Sequence, residues 1–407
     1  MLECAIVGGG IHGTYLAQRL LEETAIERSA LRIVDPHAQL LESFRRKARA
    51  CEMSSLRSTF VHHVGTEPFG LEDFAEARNR EDELLPTRAY PRRPSLSLFL
   101  DYADHVIERR GLESLHRQAA VESIGRETHG RSGESLVLET DDGDALESRA
   151  VVLAIGHGGR YRRPAWADGV EGIDHVWDEA FDPAATADET IVVGGGITAA
   201  QLATDLCERE TVTLLSREEL TTATVEADPR WINWNHVERQ LHRHPPGSRR
   251  RLEVLQAAQN RGTIPPRLLE TLESAANGDA LSIRRGEVRS ARGVDGRVRL
   301  LLETGGCLSA DRVVLATGFE PVFEHPFVGH VADSCGLERG YRGMPVLEDE
   351  TLAWRRTGGE ASPVHVTGAL AAGTAGPLAG TVIGARRAAD RICHSIAVDT
   401  GPPMAAD

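Results

Sequence analysis

Residues 4–17, CAIVGGGIHGTYLA, constrain the fold more than any other part of the chain. Cys4, Ala5, Ile6 and Val7 form an apolar run of strand length, and Ile11, Leu16, Ala17, Leu20 and Leu21 beyond it recur at helical spacing. Between them stands Gly8-x-Gly10-x-x-Gly13. Strand, tight turn and helix are therefore predicted. Gly8 would permit the turn, Gly10 would let the backbone approach a pyrophosphate, and Gly13 would let the helix pack on the strand. A second apolar run, 31–34, ends in Asp35, 22 residues after Gly13, near the spacing at which a carboxylate accepts from a ribose hydroxyl. A dinucleotide site is the expectation. A motif that starts at residue 8 is not expected to follow a signal peptide.

The pattern returns at Thr190. Ile191-Val192-Val193 runs into Gly194-Gly195-Gly196-Ile197-Thr198-Ala199, a helix through Leu202, Ala203 and Leu206 follows, and 212–215 reads as a new strand. Where the first unit closes on Asp35, this one closes on Ser216-Arg217, a hydroxyl and a guanidinium suited to a 2′-phosphate. One chain thus carries two dinucleotide sites, the second built for NADP. The other reading of Arg217 is an exposed arginine at a strand end.

The 407 residues, 41% apolar and 26% charged, are enough for more than one globular domain. With 61 acids against 46 bases the net charge is −15, which would repel nucleic acid, and Arg249-Arg250-Arg251 reads as a solvated helix face. Lys47 is the sole lysine. No apolar run has the length of a membrane span, so a cytoplasmic protein is expected. The six cysteines form no Cys-x-x-Cys, which removes a dithiol redox centre and the usual zinc spacing. His62-His63 has no acidic or cysteine partner at ligand spacing, and no metal is expected there.

Between the two units, 40–50 reads as a helix and 51–74 as a long irregular connection of the kind that walls a site. Ser95 is placed to cap a helix whose inner face is Leu96, Phe99, Leu100, Ala103 and Ile107. Strands are expected around Val121 and at 136–138 and 151–154, the last reaching the glycine-rich segment from Ile155 through Gly156 to Gly159. Residues 225–275 read as a mainly helical insertion in the second unit. Strands return at 281–283, 298–302 and 312–315, the last running into Thr317-Gly318. A strand at 364–366 precedes Gly368, Pro377 and Leu378, then a helix through Ile383, Ala385, Ala388 and Ile392, with a loose tail beyond Ser395. The fold class is α/β, a discontinuous Rossmann-like domain (1–185 and 306–407) interrupted by a second (186–305).

This arrangement resembles the flavoproteins with two dinucleotide-binding domains, and in detail the flavin-dependent N-hydroxylating monooxygenases, the ornithine and lysine N-hydroxylases of siderophore biosynthesis. Met53-Ser54-Ser55-Leu56-Arg57 followed by Glu67-Pro68-Phe69 is similar to the family's methionine, substrate-contacting lysine and later proline-phenylalanine segment. Tyr90-Pro91-Arg92-Arg93 and the helix to Tyr102 are similar to its tyrosine-proline-arginine element. Asp174-His175-Val176-Trp177, after Arg163-Pro164, sits where the class carries a histidine before the NADPH domain. Asn233 in WINW and Asn260 in QNRGTI resemble the two asparagines that touch substrate and nicotinamide, and ATGFEP at 316–321 matches the family's linker. The chain departs from the pattern at Arg57, where the family has lysine, at Ser54, where it has glutamine, and at Gly368-Ala369, which lacks an aspartate.

The resemblance implies FAD on the first unit, against Gly8, Gly9, Gly10, His12, Gly13, Asp35, Pro36, Met53, Gly156, Gly368, Pro377 and Leu378. It implies NADPH on the second, against Gly194, Gly195, Gly196, Thr198, Ser216 and Arg217, with Thr317 and Gly318 also at a cofactor. The implied chemistry is hydride transfer from NADPH to FAD, capture of O₂ as a flavin C4a-hydroperoxide, and N-hydroxylation of a small amine or amino acid beside Arg57, Asn233 and Asn260. Neither membrane nor nucleic acid is an expected partner, and a homo-oligomer is compatible with the sequence. Two other readings stay open: an NAD(P)H oxidoreductase passing electrons to a quinone or protein without oxygen insertion, and a flavin-binding redox sensor.

Overall fold

The computed structural model describes residues 1–87, 91–128 and 134–400. Tyr90, part of the expected tyrosine-proline-arginine element, lies outside these residues. The first sheet grows from the opening motif. Its strands here are β1 (Leu2–Val7), β2 (Leu31–Asp35), β3 (His116–Gln118), β4 (Val121–Thr128), β5 (Glu134–Thr140) and β6 (Ala145–Leu153). β1 is buried from Cys4 to Val7, as a central parallel strand covered on both faces must be, with β2 on one side and β6 on the other. β4 and β5 form an antiparallel hairpin that leads into β6.

Helices α1 (Ile11–Glu23), α2 (Glu42–Ala50), α3 (Gly70–Ala77) and α4 (Leu96–Arg109) pack around this sheet. α3 begins inside the stretch expected to be irregular. Ser95 caps α4 as predicted, its hydroxyl accepting from Leu98 N at 3.0 Å. The buried face of α4 is turned from the expected one: Leu98, Tyr102 and Val106 join Phe99, Ala103 and Ile107, while Leu96 and Leu100 stay half-buried. On this face Tyr102 packs closely against two glycines, since a Cβ on Gly65 or Gly70 would overlap its hydroxyl.

The second unit contains β7 (Ile173–His175), β8 (Glu189–Val193), α5 (Ile197–Leu206), β9 (Thr211–Ser216), α6 (Arg249–Ala258), α7 (Pro266–Ala276), β10 (Leu281–Arg285), β11 (Val288–Val294), β12 (Arg297–Leu302), β13 (Cys307–Ala310) and β14 (Arg312–Leu315). Its sheet runs β10–β9–β8–β14–β7, all parallel, and β11–β13 form an antiparallel flap. The expected limits 186–305 leave out β7 and β14. Both pair into this sheet, β14 beside β8 and β7 beside β14, with Val193 in register with Leu315 and Leu315 with His175.

The chain then returns through α8 (Pro326–Cys335), β15 (Ala353–Arg355), β16 (Ala361–Val366) and α9 (Val382–Thr400). β16 pairs in parallel with β6, which completes the order β15–β16–β6–β1–β2–β3. α9 continues past Ser395 with Ile396 buried, so this part of the tail is helical and not loose.

The basic run at the start of α6 divides. Arg249 and Arg250 are exposed and pair with Glu253, but Arg251 is fully buried. Its Nη1 and Nη2 donate to the two Asp349 oxygens at 2.7 and 2.8 Å and its Nε to His244 O at 2.9 Å. A buried guanidinium is stable only when paired and hydrogen-bonded in this way. It corrects the reading of the run as a solvated face, and it fastens the helical insertion to the returning part of the first domain.

Candidate functional site

The two glycine turns sit at the C-terminal ends of the parallel strands of the two sheets, where ligands of open α/β sheets bind. In the first turn Gly8 has φ 115°, and a Cβ there would lie 2.5 Å from Ala154 O. A Cβ on Gly13 would overlap Gly8 O. Only glycine fits either place. Gly10 differs, since nothing lies within 4 Å of its Cβ position and no side chain caps α1, so the helix N-terminus faces open space.

Asp35 braces this turn. Its Oδ2 accepts from Gly9 N at 2.6 Å, and its Oδ1 accepts from His37 N at 2.9 Å and lies 2.7 Å from His37 Nδ1. A carboxylate has about four acceptor positions, so capacity remains for a ribose hydroxyl. His12 Nδ1 lies 2.8 Å from Thr367 Oγ1, while its Nε2 is buried without a protein partner among the described residues. Burial pushes its pKa down to about 4, leaving a neutral ring at the helix start. Gly368, with φ 73°, faces that ring. Pro36 O accepts from Gln118 Nε2 at 3.4 Å. Pro377 is buried, and Leu378 packs with Trp231, Val237 and Leu241 of the insertion.

The second turn is looser. A Cβ on Gly194 would lie 2.5 Å from Ala316 O, but the third position is Ala199, whose methyl is accommodated. A Cβ on Gly195 would overlap Ser216 Oγ, and Gly196, which starts α5 without a side-chain cap, has Gly262 Cα 3.6 Å from its Cβ position. Thr198 follows, half-buried, in the first turn of α5. Ser216 Oγ donates to Glu218 O at 2.7 Å, and the Arg217 side chain is 68% exposed.

Between the turns the expected substrate residues separate. Arg57 Nε donates to Thr224 O at 3.1 Å, and its Nη2 donates to the Ala223 and Val225 carbonyls and to Thr263 Oγ1. Asn260 Nδ2 donates to the same Val225 O at 2.9 Å. Arg57 and Asn260 therefore meet on one loop, which Arg57 ties to the first domain. Asn233 stands apart, exposed, with its Oδ1 accepting from Asn235 N at 2.9 Å and its Nδ2 without a partner among the described residues. Met53 packs against the cores of both units.

The two chain crossings form an aromatic joint beyond Gly156. Tyr161 bridges Phe319, Arg162 N donates to Gly318 O at 2.8 Å, and Thr317 Oγ1 donates to Arg162 O. His157 stacks on Phe319 at 4.0 Å, Phe319 on Trp177 at 4.6 Å, and Tyr161 on His175 at 5.0 Å. Lys47 Nζ sits 5.8 and 5.7 Å from the Tyr161 and Phe319 centroids, its pKa brought down to about 8 chiefly by burial. Thr317 and Gly318 thus hold the joint itself.

Residues 5–158 match the family model described as FAD-NAD(P)-binding. No curated protein is similar to the chain in sequence. The Kutzneria sp. 744 ornithine N-hydroxylase, in a structure titled with reduced FAD, NADP⁺ and L-ornithine, superposes with TM-score 0.80 over 98% of this chain and 100% of that one, at 17% identity. The fold is that of the N-hydroxylating flavin monooxygenases. L-lysine 6-monooxygenase from Pseudomonas syringae gives TM-score 0.75 at 18% identity, over 98% of this chain and 100% of that one. The cadaverine monooxygenase DfoA of Erwinia amylovora, bound to FAD, gives 0.74 at 16% identity, over 100% of this chain and 96% of that one. The two-domain reading of this N-hydroxylase fold therefore holds, with an FAD/NAD(P)-binding unit at 5–158. Among the described residues no helix is long and apolar enough to cross a membrane.

Sequence reasoning missed the buried Arg251–Asp349 pair, the aromatic joint, and Arg285 at the strand end beside Ser216. Only Arg285 left a usable signal, a basic pair Arg284-Arg285 closing an apolar run.

Proposed function

We propose that the protein is an FAD- and NADPH-dependent monooxygenase that N-hydroxylates a small amine or amino acid. The observation that carries this reading is the pair of unlike glycine turns, one closed by Asp35 and one by Ser216-Arg217, each at the end of a parallel strand in the N-hydroxylase fold. The first fits FAD: the uncapped N-terminus of α1 offers N–H groups to a pyrophosphate, Asp35 keeps acceptor capacity for ribose, and His12 sits neutral at the helix start, its buried Nε2 without a hydrogen bond among the described residues. FAD, once bound, is the group that accepts hydride and activates oxygen.

The chain's own residues place and shield. Gly194, Gly195, Gly196 and Thr198 present the α5 N-terminus to the NADPH pyrophosphate, and Ser216 and Arg217 take its 2′-phosphate. Arg57 ties the 223–226 loop to the first domain, and Asn260 braces the same loop from within the insertion. An amine must lose its proton to act as a nucleophile, and a desolvated site favours the neutral form. Because Arg57 Nε and Nη2 are engaged by carbonyls, the arginine positions this loop, and Asn233 Nδ2, without a partner among the described residues, is an amide placed to meet substrate.

The test is a panel of ornithine, lysine, cadaverine and shorter diamines with FAD, NADPH and O₂, read by mass for a product one oxygen heavier. At least one amine is expected to give a hydroxylamine with NADPH consumed in step. Hydrogen peroxide alone across the panel, with fast electron flow to a quinone, contradicts oxygen insertion and supports an oxidoreductase.

A further inference from the structure

At the sequence level the 2′-phosphate site consists of Ser216 and Arg217, but strand pairing adds a second cation. Arg285, the last residue of β10, is in register with Ser216, the last of β9, and Gly286 N donates to Ser216 O at 2.9 Å. Residues in register on paired strands share a face. Ser216 Oγ lies where a Cβ on Gly195 would overlap it, so that shared face is the face of the glycine turn.

Both guanidiniums converge on one carboxylate. Arg217 Nε lies 3.9 Å from Glu218 Oε1, and Arg285 Nη2 lies 3.8 Å from Glu218 Oε2. Arg217 Nη1 is also 3.9 Å from Glu287 Oε1, and Arg285 Nη1 3.7 Å from Glu219 Oε1. None of these contacts is a hydrogen bond, and the five side chains are 59–84% exposed, so the pairs contribute little and exchange readily. A phosphate seated between the same two forks would accept charge-assisted hydrogen bonds from both.

We propose that Arg285 is a second recognition residue for the 2′-phosphate, forming a two-sided clamp with Arg217, and that Glu218 occupies the phosphate's place until NADPH displaces it. The inference rests on the NADPH reading above. NADH leaves the arginines with their glutamates, whereas NADPH must displace Glu218 first. Glu218 thus limits how strongly the site prefers NADPH, and Arg285 creates part of that preference.

The experiment is calorimetric titration of the flavin-loaded protein with 2′,5′-ADP and 5′-AMP, then with NADPH and NADH. Arg285→Ala is expected to weaken 2′,5′-ADP about tenfold while leaving 5′-AMP unchanged, with partial recovery in Arg285→Lys. Glu218→Gln is expected to tighten 2′,5′-ADP several-fold and leave 5′-AMP unchanged. A wild type that prefers NADPH, with Arg285→Ala weakening both probes equally or neither, or with Glu218→Gln weakening 2′,5′-ADP, overturns the clamp and spares the NADPH reading. A wild type that binds neither 2′,5′-ADP nor NADPH, or that prefers NADH, overturns both.

Discussion

The two glycine turns follow one plan and hold their ligand-facing groups in opposite ways. In the first, Asp35 is nearly buried and tied to Gly9 and His37, and Gly13 leaves no room for a methyl against Gly8 O. In the second, Ala199 fills the corresponding place, and the strand-end cations are exposed on long contacts to Glu218, Glu219 and Glu287. Rigid, pre-satisfied groups bind with little further ordering, while exposed, weakly paired ones can release what they hold. The contrast predicts a resident group at the first turn and an exchanging one at the second.

The largest effect that could break this comparison is steric. Gly13→Ala is expected to cost about 3 kcal/mol, because the new methyl meets backbone, whereas Ala199→Gly should cost about 1 kcal/mol as an ordinary helix substitution. Urea unfolding measures both. Equal costs would mean that the first turn is no tighter than the second.

A smaller effect is acidic. His12 at the first turn and His157 and His175 in the joint are each brought down to about 4 by burial, while their unfolded value is near 6.5. Between these values the unfolded chain binds more protons, so stability falls as pH drops from about 6.5 toward 4. The midpoint of thermal unfolding should be lower at pH 5 than at pH 7, and His12→Gln should reduce that dependence. A flat profile would show that these rings are not held neutral.

The β1–α1–β2 and β8–α5–β9 units were legible because local spacing alone dictates strand, turn and helix. The sheet limits were not, since β7 and β14 belong to the second unit through pairing with distant residues that no local pattern encodes. Arg251 misled for the same reason, and the partners of Arg57 were hidden by it. An arginine in a basic run looks exposed until Asp349 is seen to receive it, and no local pattern shows that the 223–226 carbonyls accept from Arg57. Asp35 was readable as a strand-end acid, but its bracing of Gly9 was not.

The most direct test of the contrast is gel filtration of the wild-type protein after incubation with excess FAD and NADP⁺, followed by the absorption spectrum and nucleotide content of the protein peak. The account predicts about one FAD per chain retained and NADP⁺ lost, with Gly10→Ala losing the flavin and Gly196→Ala keeping it, since each turn binds one dinucleotide. A peak that has shed its flavin, or one that keeps NADP⁺ as firmly as FAD, would contradict it.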